Sequence, residues 1–244
     1  MHDVLKKVAL VTGANKGIGF EIARQLGEAG FAVFLGARNA GLGEEAAAKL
    51  RTQGLDARYI ELDLTRLDTI ETAAAAIKAS SGQLDVLVNN AAIVDAADGP
   101  PSSVAAGVVR RVLETNLFGT LAVTQAMLPL LRAAPAARIV NLSSGLGSLA
   151  MNADPTWEFA AFKLLGYNTS KAAVNMLTAQ LAYELRDTAI KVNAVSPGYV
   201  ATDMNAHQGI LTVAEGAAEP LRLALLPPNG PTGGFFSAEG PYPW

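Results

Sequence analysis

Short apolar runs recur along this chain with helix-length stretches between them, and no other feature constrains its fold as strongly. The runs are VALVT (Val8 to Thr12), FAVFLGA (Phe31 to Ala37), ARYIELD (Ala57 to Asp63), LDVLVNN (Leu84 to Asn90), ARIVNLS (Ala137 to Ser143) and IKVNAVS (Ile190 to Ser196). Several are apolar almost without a break, as suits strands covered on both faces. GGFFS, Gly233 to Ser237, is a weaker seventh. Helical periodicity fills the gaps. One stretch runs from Gly17 to Ala29 before Gly30, and another from Glu44 to Gln53 before Gly54. A third starts at Thr65, with Asp68 as a capping-box partner and Leu67, Ile70, Ala74 and Ile77 as its apolar face. Longer helices are expected over Val104 to Leu131 and Trp157 to Arg186. Parallel strands need right-handed crossovers, so this alternation predicts an α/β fold: a doubly wound parallel sheet of about seven strands with helices on both faces. No linker interrupts it, and 1–244 reads as one domain ending in an irregular tail, 227–244, with five prolines and four glycines.

Composition narrows the function. The 244 residues carry 19 basic and 22 acidic side chains, a net charge of −3, which leaves no surplus for nucleic acid. No apolar run approaches the ~18 residues of a membrane span. The Val8 to Val11 run enters a polar turn too soon for a signal peptide, so a cytoplasmic location is expected. There is no cysteine, and His2 and His207 stand far apart, so a thiol nucleophile and a usual zinc site are both excluded.

The first strand runs into TGANKGIG, Thr12 to Gly19, which opens the first helix. Gly13 allows a tight turn, Gly17 allows backbone to approach a pyrophosphate, and Gly19 allows close helix–strand packing. The N–H groups and dipole at the helix start favour phosphate. The pattern is therefore Rossmann-type. An NAD-specific site usually has an acid at the end of the second strand. This chain reads GARN there, with Ala37 followed by Arg38, and Lys16 lies within reach of the same region. A guanidinium and an ammonium suit a 2′-phosphate, so NADPH is expected over NADH.

YNTSK sets Tyr167 and Lys171 four apart on one helical face. A phenol, ordinarily near pKa 10, becomes a useful acid or base only if its phenolate is stabilised. A nearby ammonium would do this, as would the positive ring of an oxidised nicotinamide.

Taken together, TGANKGIG, LDVLVNNAA, ETNLFG, IVNLSS, YNTSK and SPGYVATDM resemble the short-chain dehydrogenase/reductase family, in its order and across nearly the whole chain. The glycine spacing is similar to the single-domain branch, and TGANKGIG with PTGGFF resembles its carbonyl-reductase-like members. The resemblance implies that Tyr167 gives a proton to a carbonyl oxygen while hydride arrives from the nicotinamide. Lys171 would lower the tyrosine pKa and bind the nicotinamide ribose. Ser144, in preference to Ser143, would hold the substrate oxygen, and Asn116 would position a relay water. Gly13, Asn15, Lys16, Gly17, Ile18 and Gly19 would cradle the dinucleotide. Asp63 and Leu64 would border the adenine, and Asn90 and Ala91 would line the cleft. Pro197, Gly198, Val200 and Thr202 would frame the nicotinamide. Ala92 stands where the family usually reads glycine. Asp85 and Asp203 read as structural.

The stretch between Ser144 and Tyr167 is longer than in most relatives and carries Met151, Trp157, Phe159 and Phe162. A still longer insertion accompanies monomeric carbonyl-reductase-like members, so monomer and homo-oligomer both stay open here. The 200–226 segment corresponds to a substrate lid, with Ile210, Leu211 and Val213 and few charges. An apolar ketone or aldehyde is the expected substrate. A dedicated steroid, terpenoid or alkaloid ketone reductase is the alternative. A non-catalytic nucleotide sensor is the contrasting reading, and the retained tyrosine and lysine argue against it.

Overall fold

The computed structural model describes residues 6–244; His2 lies outside them. Its sheet has eight strands in the order β3-β2-β1-β4-β5-β6-β7-β8. These are β1 (Val8–Thr12), β2 (Ala32–Ala37), β3 (Ala57–Glu61), β4 (Val86–Asn89), β5 (Arg138–Leu142), β6 (Lys191–Val195), β7 (Phe235–Ser237) and β8 (Gly240–Pro241). The first seven pair in parallel and β8 closes antiparallel on β7. The tail expected to be irregular therefore adds a hairpin. The stacked Phe235 and Trp244 rings and the edge-on Tyr242 hold it, supplying apolar burial that its prolines and glycines lack.

Alternate residues of one strand feed two cores. Val8 and Leu10 face α3 (Leu67–Ser81), α5 (Thr120–Ala133) and α7 (Leu165–Glu184), while Ala9 and Val11 face α1 (Gly17–Glu28), α2 (Ala40–Arg51) and α8 (Val213–Ala224). Burial on both faces is why the strand sequences are apolar throughout. β1 lies between β2 and β4, so the chain order reverses beside it. Open α/β sheets bind ligands at the carboxyl edge of such a switch point.

Several helix boundaries depart from the periodicity. α2 starts at Ala40, where the Asn39 side chain caps Leu42 N–H at 3.0 Å. α3 starts at Leu67, because the Thr65 hydroxyl donates to Asp63 and caps nothing in the helix; Leu67 itself is exposed. The expected helix from Val104 splits into α4 (Ala106–Leu113), a π turn over Glu114–Gly119, and α5. The expected start at Trp157 moves to Leu165. Asp154 accepts from the Thr156 N–H at 2.8 Å and hydroxyl at 2.7 Å, and the aromatic residues after it pack on one another in turns. α8, inside the expected lid, buries Ala217, Leu223 and Ala224 in the core. That leaves 199–212, with a 3-10 turn at Asp203–Asn205 and a bridge between Val200 and Leu211, as the segment that overhangs the glycine turn.

Candidate active site

The glycine turn is built by close approach of backbone. Gly13 and Gly17 have φ of 64° and 58°, in the left-handed region where glycine is favoured. A Cβ at Gly13 would lie 3.0 Å from Ala91 Cα, and one at Gly19 would lie 2.6 Å from the Gly13 carbonyl oxygen and overlap the Asn90 amide. Asn90 Nδ2 donates to the carbonyls of Thr12 (2.8 Å) and Gly13 (3.2 Å). Thr12 Oγ1 accepts from the N–H groups of Asn90 and Ala91, both at 3.0 Å. Asn90 thus holds the turn as well as lying beside it. The N-terminus of α1, at Lys16, has no side-chain cap, so its N–H groups stay available to a phosphate. Asn15 and Ile18 lie half-buried in the same turn.

Charged groups cluster around this half of the cleft. Lys16 pairs with Asp203 in the overhanging segment. Asp203, expected to be only structural, also faces His207 Nε2 at 3.0 Å. Arg38 is exposed at the end of β2, and among the described residues no hydrogen bond or ion pair holds its guanidinium. Asp63 receives the Thr65 N–H and hydroxyl at 2.9 and 2.7 Å; against the upward pull of burial, these bonds and the Arg38 charge hold its carboxyl low. The Leu64 side chain points into the core, where Gly119 packs so closely that a Cβ there would lie 2.6 Å from the Leu64 oxygen.

The catalytic candidates meet where β5 and α7 converge. The Ser144 hydroxyl faces the Tyr167 phenol closely enough to pull its pKa down, and it accepts the Leu146 N–H at 3.2 Å. Lys171 Nζ, almost wholly buried, donates to the Leu142 carbonyl at 2.7 Å and lies 5.6 Å from the Tyr167 ring centroid. Ser143 Oγ donates instead to the Lys171 carbonyl at 3.3 Å, leaving Ser144 as the serine that faces the phenol. A Cβ at Gly147 would lie 2.7 Å from the Lys171 carbonyl carbon, so this glycine sets the contact between the β5 turn and α7. Ser196 Oγ accepts the Gly145 N–H at 3.1 Å and steadies the same turn.

Burial dominates the electrostatics of this pair in the protein alone. Burial pushes the Tyr167 phenol up to about 12, against the downward pull of the Ser144 hydrogen bond. Burial also pushes Lys171 down to about 8. In the protein alone, burial governs both groups, because phenol and amine leave water together.

Asn116 lies in the π turn with its amide fully engaged. Oδ1 accepts the Ile93 N–H at 2.8 Å, and Nδ2 donates to the Ile93 carbonyl at 2.9 Å and to Ser170 Oγ at 3.0 Å. Its main-chain carbonyl accepts the Thr120 hydroxyl at 2.8 Å. Pro197 and Gly198 (φ 83°) follow β6 into the overhanging segment, where Val200 is buried and its neighbour Ala201 N–H donates to Leu211. Thr202 overhangs the glycine turn, its methyl 3.7 Å from where a Gly17 Cβ would be. Across the cleft mouth, Phe159 packs on Tyr199 with centroids 5.7 Å apart, joining the insertion to this segment.

The family model described as short chain dehydrogenase matches residues 7–209. The chain belongs to the short-chain dehydrogenases. It is 36% identical to carbonyl reductase [NADPH] 3 of Rattus norvegicus, over 91% of this chain and 92% of that one. It is 33% identical to (-)-isopiperitenone reductase of Mentha piperita, over 96% of this chain and 97% of that enzyme. Among solved structures, NADPH-bound carbonyl reductase from chicken fatty liver superposes with a TM-score of 0.85 at 30% identity, covering 99% of this chain and 100% of that one.

Like other short-chain dehydrogenases, this protein is an NAD(P)-dependent oxidoreductase acting on carbonyl compounds. The tight glycine turn, closed on Asn90 and Ala91, and the uncapped N-terminus of α1 fit the pyrophosphate of a dinucleotide. No helix among the described residues is long and apolar enough to cross a membrane. Thr12, Gly147 and Tyr199 were not singled out from the sequence. Thr12 opens the glycine motif and Tyr199 sits inside SPGYVAT, so both carried a signal; Gly147 carried none.

Proposed function

We propose that this protein reduces neutral, apolar ketones or aldehydes to alcohols, reversibly and with NADPH preferred. The observation that carries the reading is the convergence of the Ser144 hydroxyl, the Tyr167 phenol and the buried Lys171 amine at the carboxyl edge of the sheet, beside the glycine cradle. NADPH supplies the hydride when bound. The Gly13–Gly19 turn would carry its pyrophosphate, and Arg38, with no partner among the described residues, would meet the 2′-phosphate. A phenol held protonated by burial is a ready proton donor at neutral pH, and Tyr167 would pass its proton to the substrate oxygen. Ser144 would hold that oxygen, and Lys171, in contact with Leu142, would fix the position of the nicotinamide ribose. Asn116, its side chain engaged by Ile93 and Ser170, would support a relay water only through its main chain.

The substrate side is apolar. Phe159, Phe162 and Tyr199 form a tilted aromatic series at the mouth, and Met204 and Ile210 are exposed on the overhanging segment. This wall also favours the narrower reading, a reductase dedicated to one bulky polycyclic or terpenoid ketone.

A panel of neutral and anionic ketones, assayed by loss of NADPH or NADH absorbance, tests both readings. Turnover of several neutral aryl and alkyl ketones is expected, and turnover confined to one bulky ketone would select the narrower reading. Faster turnover of carboxylated or phosphorylated substrates would defeat the apolar assignment.

A further inference from the structure

One loop after β4, residues 90–99, touches the glycine turn, Asn116 and the start of α7. Asn90 and Ala91 hold the glycine turn, Ile93 is bonded in both directions to Asn116, and the far end of the loop grips α7. The grip is a carboxylate. Asp98 Oδ1 accepts the N–H of Gly99 at 2.9 Å and of Gly166 at 3.0 Å, and Oδ2 accepts the N–H of Tyr167 at 2.8 Å. The Gly99 carbonyl accepts the Leu165 N–H at 2.9 Å. The first three N–H groups of α7 are thereby satisfied from a segment far upstream in the chain.

α7 has no cap of its own. Its N-cap is Leu164, with no side-chain hydrogen bond, and the preceding FKL offers no serine, threonine, aspartate or asparagine. Gly166 leaves room for the carboxylate, since a Cβ there would lie 3.0 Å from Asp98 Oδ2 and 3.3 Å from Val109 Cα. A negative charge at a helix N-terminus is also favoured by the helix dipole. Asp95, the neighbouring acid, is tied to Arg111 at 2.7 Å and leaves this task to Asp98.

We propose that Asp98 is a positioning residue for proton transfer. It clamps the first turn of α7 and so sets the Tyr167 hydroxyl against Ser144 and Lys171. The proposal rests on the tyrosine chemistry given above. Tyr167 is the third residue of the helix, on the turn that frays when its N–H groups lose their partners. A phenol at the end of a rigid side chain carries any backbone displacement to the reacting oxygen, and a misplacement of about 1 Å costs on the order of 100-fold in rate. Both carboxylate oxygens are needed: an asparagine supplies one acceptor and turns an amide donor towards the N–H of Tyr167 or Gly166.

The test compares wild type with Asp98→Asn, Asp98→Glu and Asp98→Ala. The measurements are kcat, both KM values, the pH profile of kcat, NADPH binding by fluorescence and thermal unfolding. The expected kcat order is wild type, Glu, Asn, Ala, with Ala down roughly 10- to 100-fold. NADPH affinity should stay within about twofold while the basic limb of the pH profile moves, a signature that simple loss of stability does not produce. Wild-type kcat and pH profile in folded Asp98→Ala would overturn the proposal. So would loss of folded protein in both the Ala and Asn variants, which would make the residue a folding determinant only. Tyr167→Phe run alongside separates the two levels. Its retention of turnover defeats the tyrosine chemistry itself, whereas a dead Tyr167→Phe beside a normal Asp98→Ala defeats the clamp alone.

Discussion

The two halves of the cleft are built by different physics. The nucleotide half, from β1 to β3, is shaped by backbone: Gly13 and Gly19 leave out Cβ atoms that would run into Ala91 and Asn90, so the turn closes against the end of β4. The catalytic half, from β4 to β6 with α7, is shaped by side chains bonded to distant backbone. Lys171 holds the Leu142 carbonyl, Asn116 holds Ile93, and Asp98 holds Tyr167. A site made by omitting atoms is broken by adding one. A site made by long-range hydrogen bonds is broken by removing one.

The largest expected effect lies in the catalytic half. Tyr167→Phe should lower kcat by about 10²- to 10⁴-fold while NADPH still binds, measured by steady-state kinetics and nucleotide fluorescence. Equal loss of binding would erase the contrast between the halves. Next comes the place where the catalytic half behaves like the other. Gly147→Ala adds a Cβ 2.7 Å from the Lys171 carbonyl carbon and 2.9 Å from Ala172 N, both backbone atoms. A stability loss of about 3 kcal/mol or more is expected from denaturant unfolding, above the usual range for an added methyl. A neutral result would mean the turn yields.

The third prediction uses pH. Lys171 stands at about 8 in the folded chain against an ordinary 10.5, so between these values the unfolded chain binds more protons. Wild type should therefore gain stability relative to Lys171→Met as pH rises from 8 towards 10.5, by roughly 3 kcal/mol in all. Below pH 8 the difference should be flat. Above pH 10, burial of Tyr167, whose phenol is raised to about 12, works the other way and stability falls as pH rises. A difference that stays constant from pH 7 to 10 would show that the amine is hydrated. The smallest effect belongs to the nucleotide half: Arg38→Asp should shift the ratio of kcat/KM for NADPH and NADH by roughly tenfold to a few hundredfold. An unmoved ratio would remove Arg38 from cofactor choice.

Most of the sheet was legible because its signals are local. Apolar runs mark doubly covered strands, glycines mark the turn after β1, and the four-residue spacing of Tyr167 and Lys171 places them on one helix face. At three places where periodicity misplaced an element, the deciding contact came from elsewhere in the chain. The π turn at Glu114–Gly119 accommodates Asn116 against Ile93 and Gly119 against Leu64. The start of α7 follows Asp98, and β8 exists because Trp244 and Tyr242 find Phe235.

The sequence by itself determined the α/β alternation, the glycine turn after β1 and the shared helix face of Tyr167 and Lys171, since each depends on residues within a few turns of one another. Only the tertiary structure decided that Ser144 faces the phenol, that Lys16 turns to Asp203 and that burial raises the Tyr167 pKa. Those outcomes depend on which groups leave water together, and segments far apart in the chain settle that only when they pack.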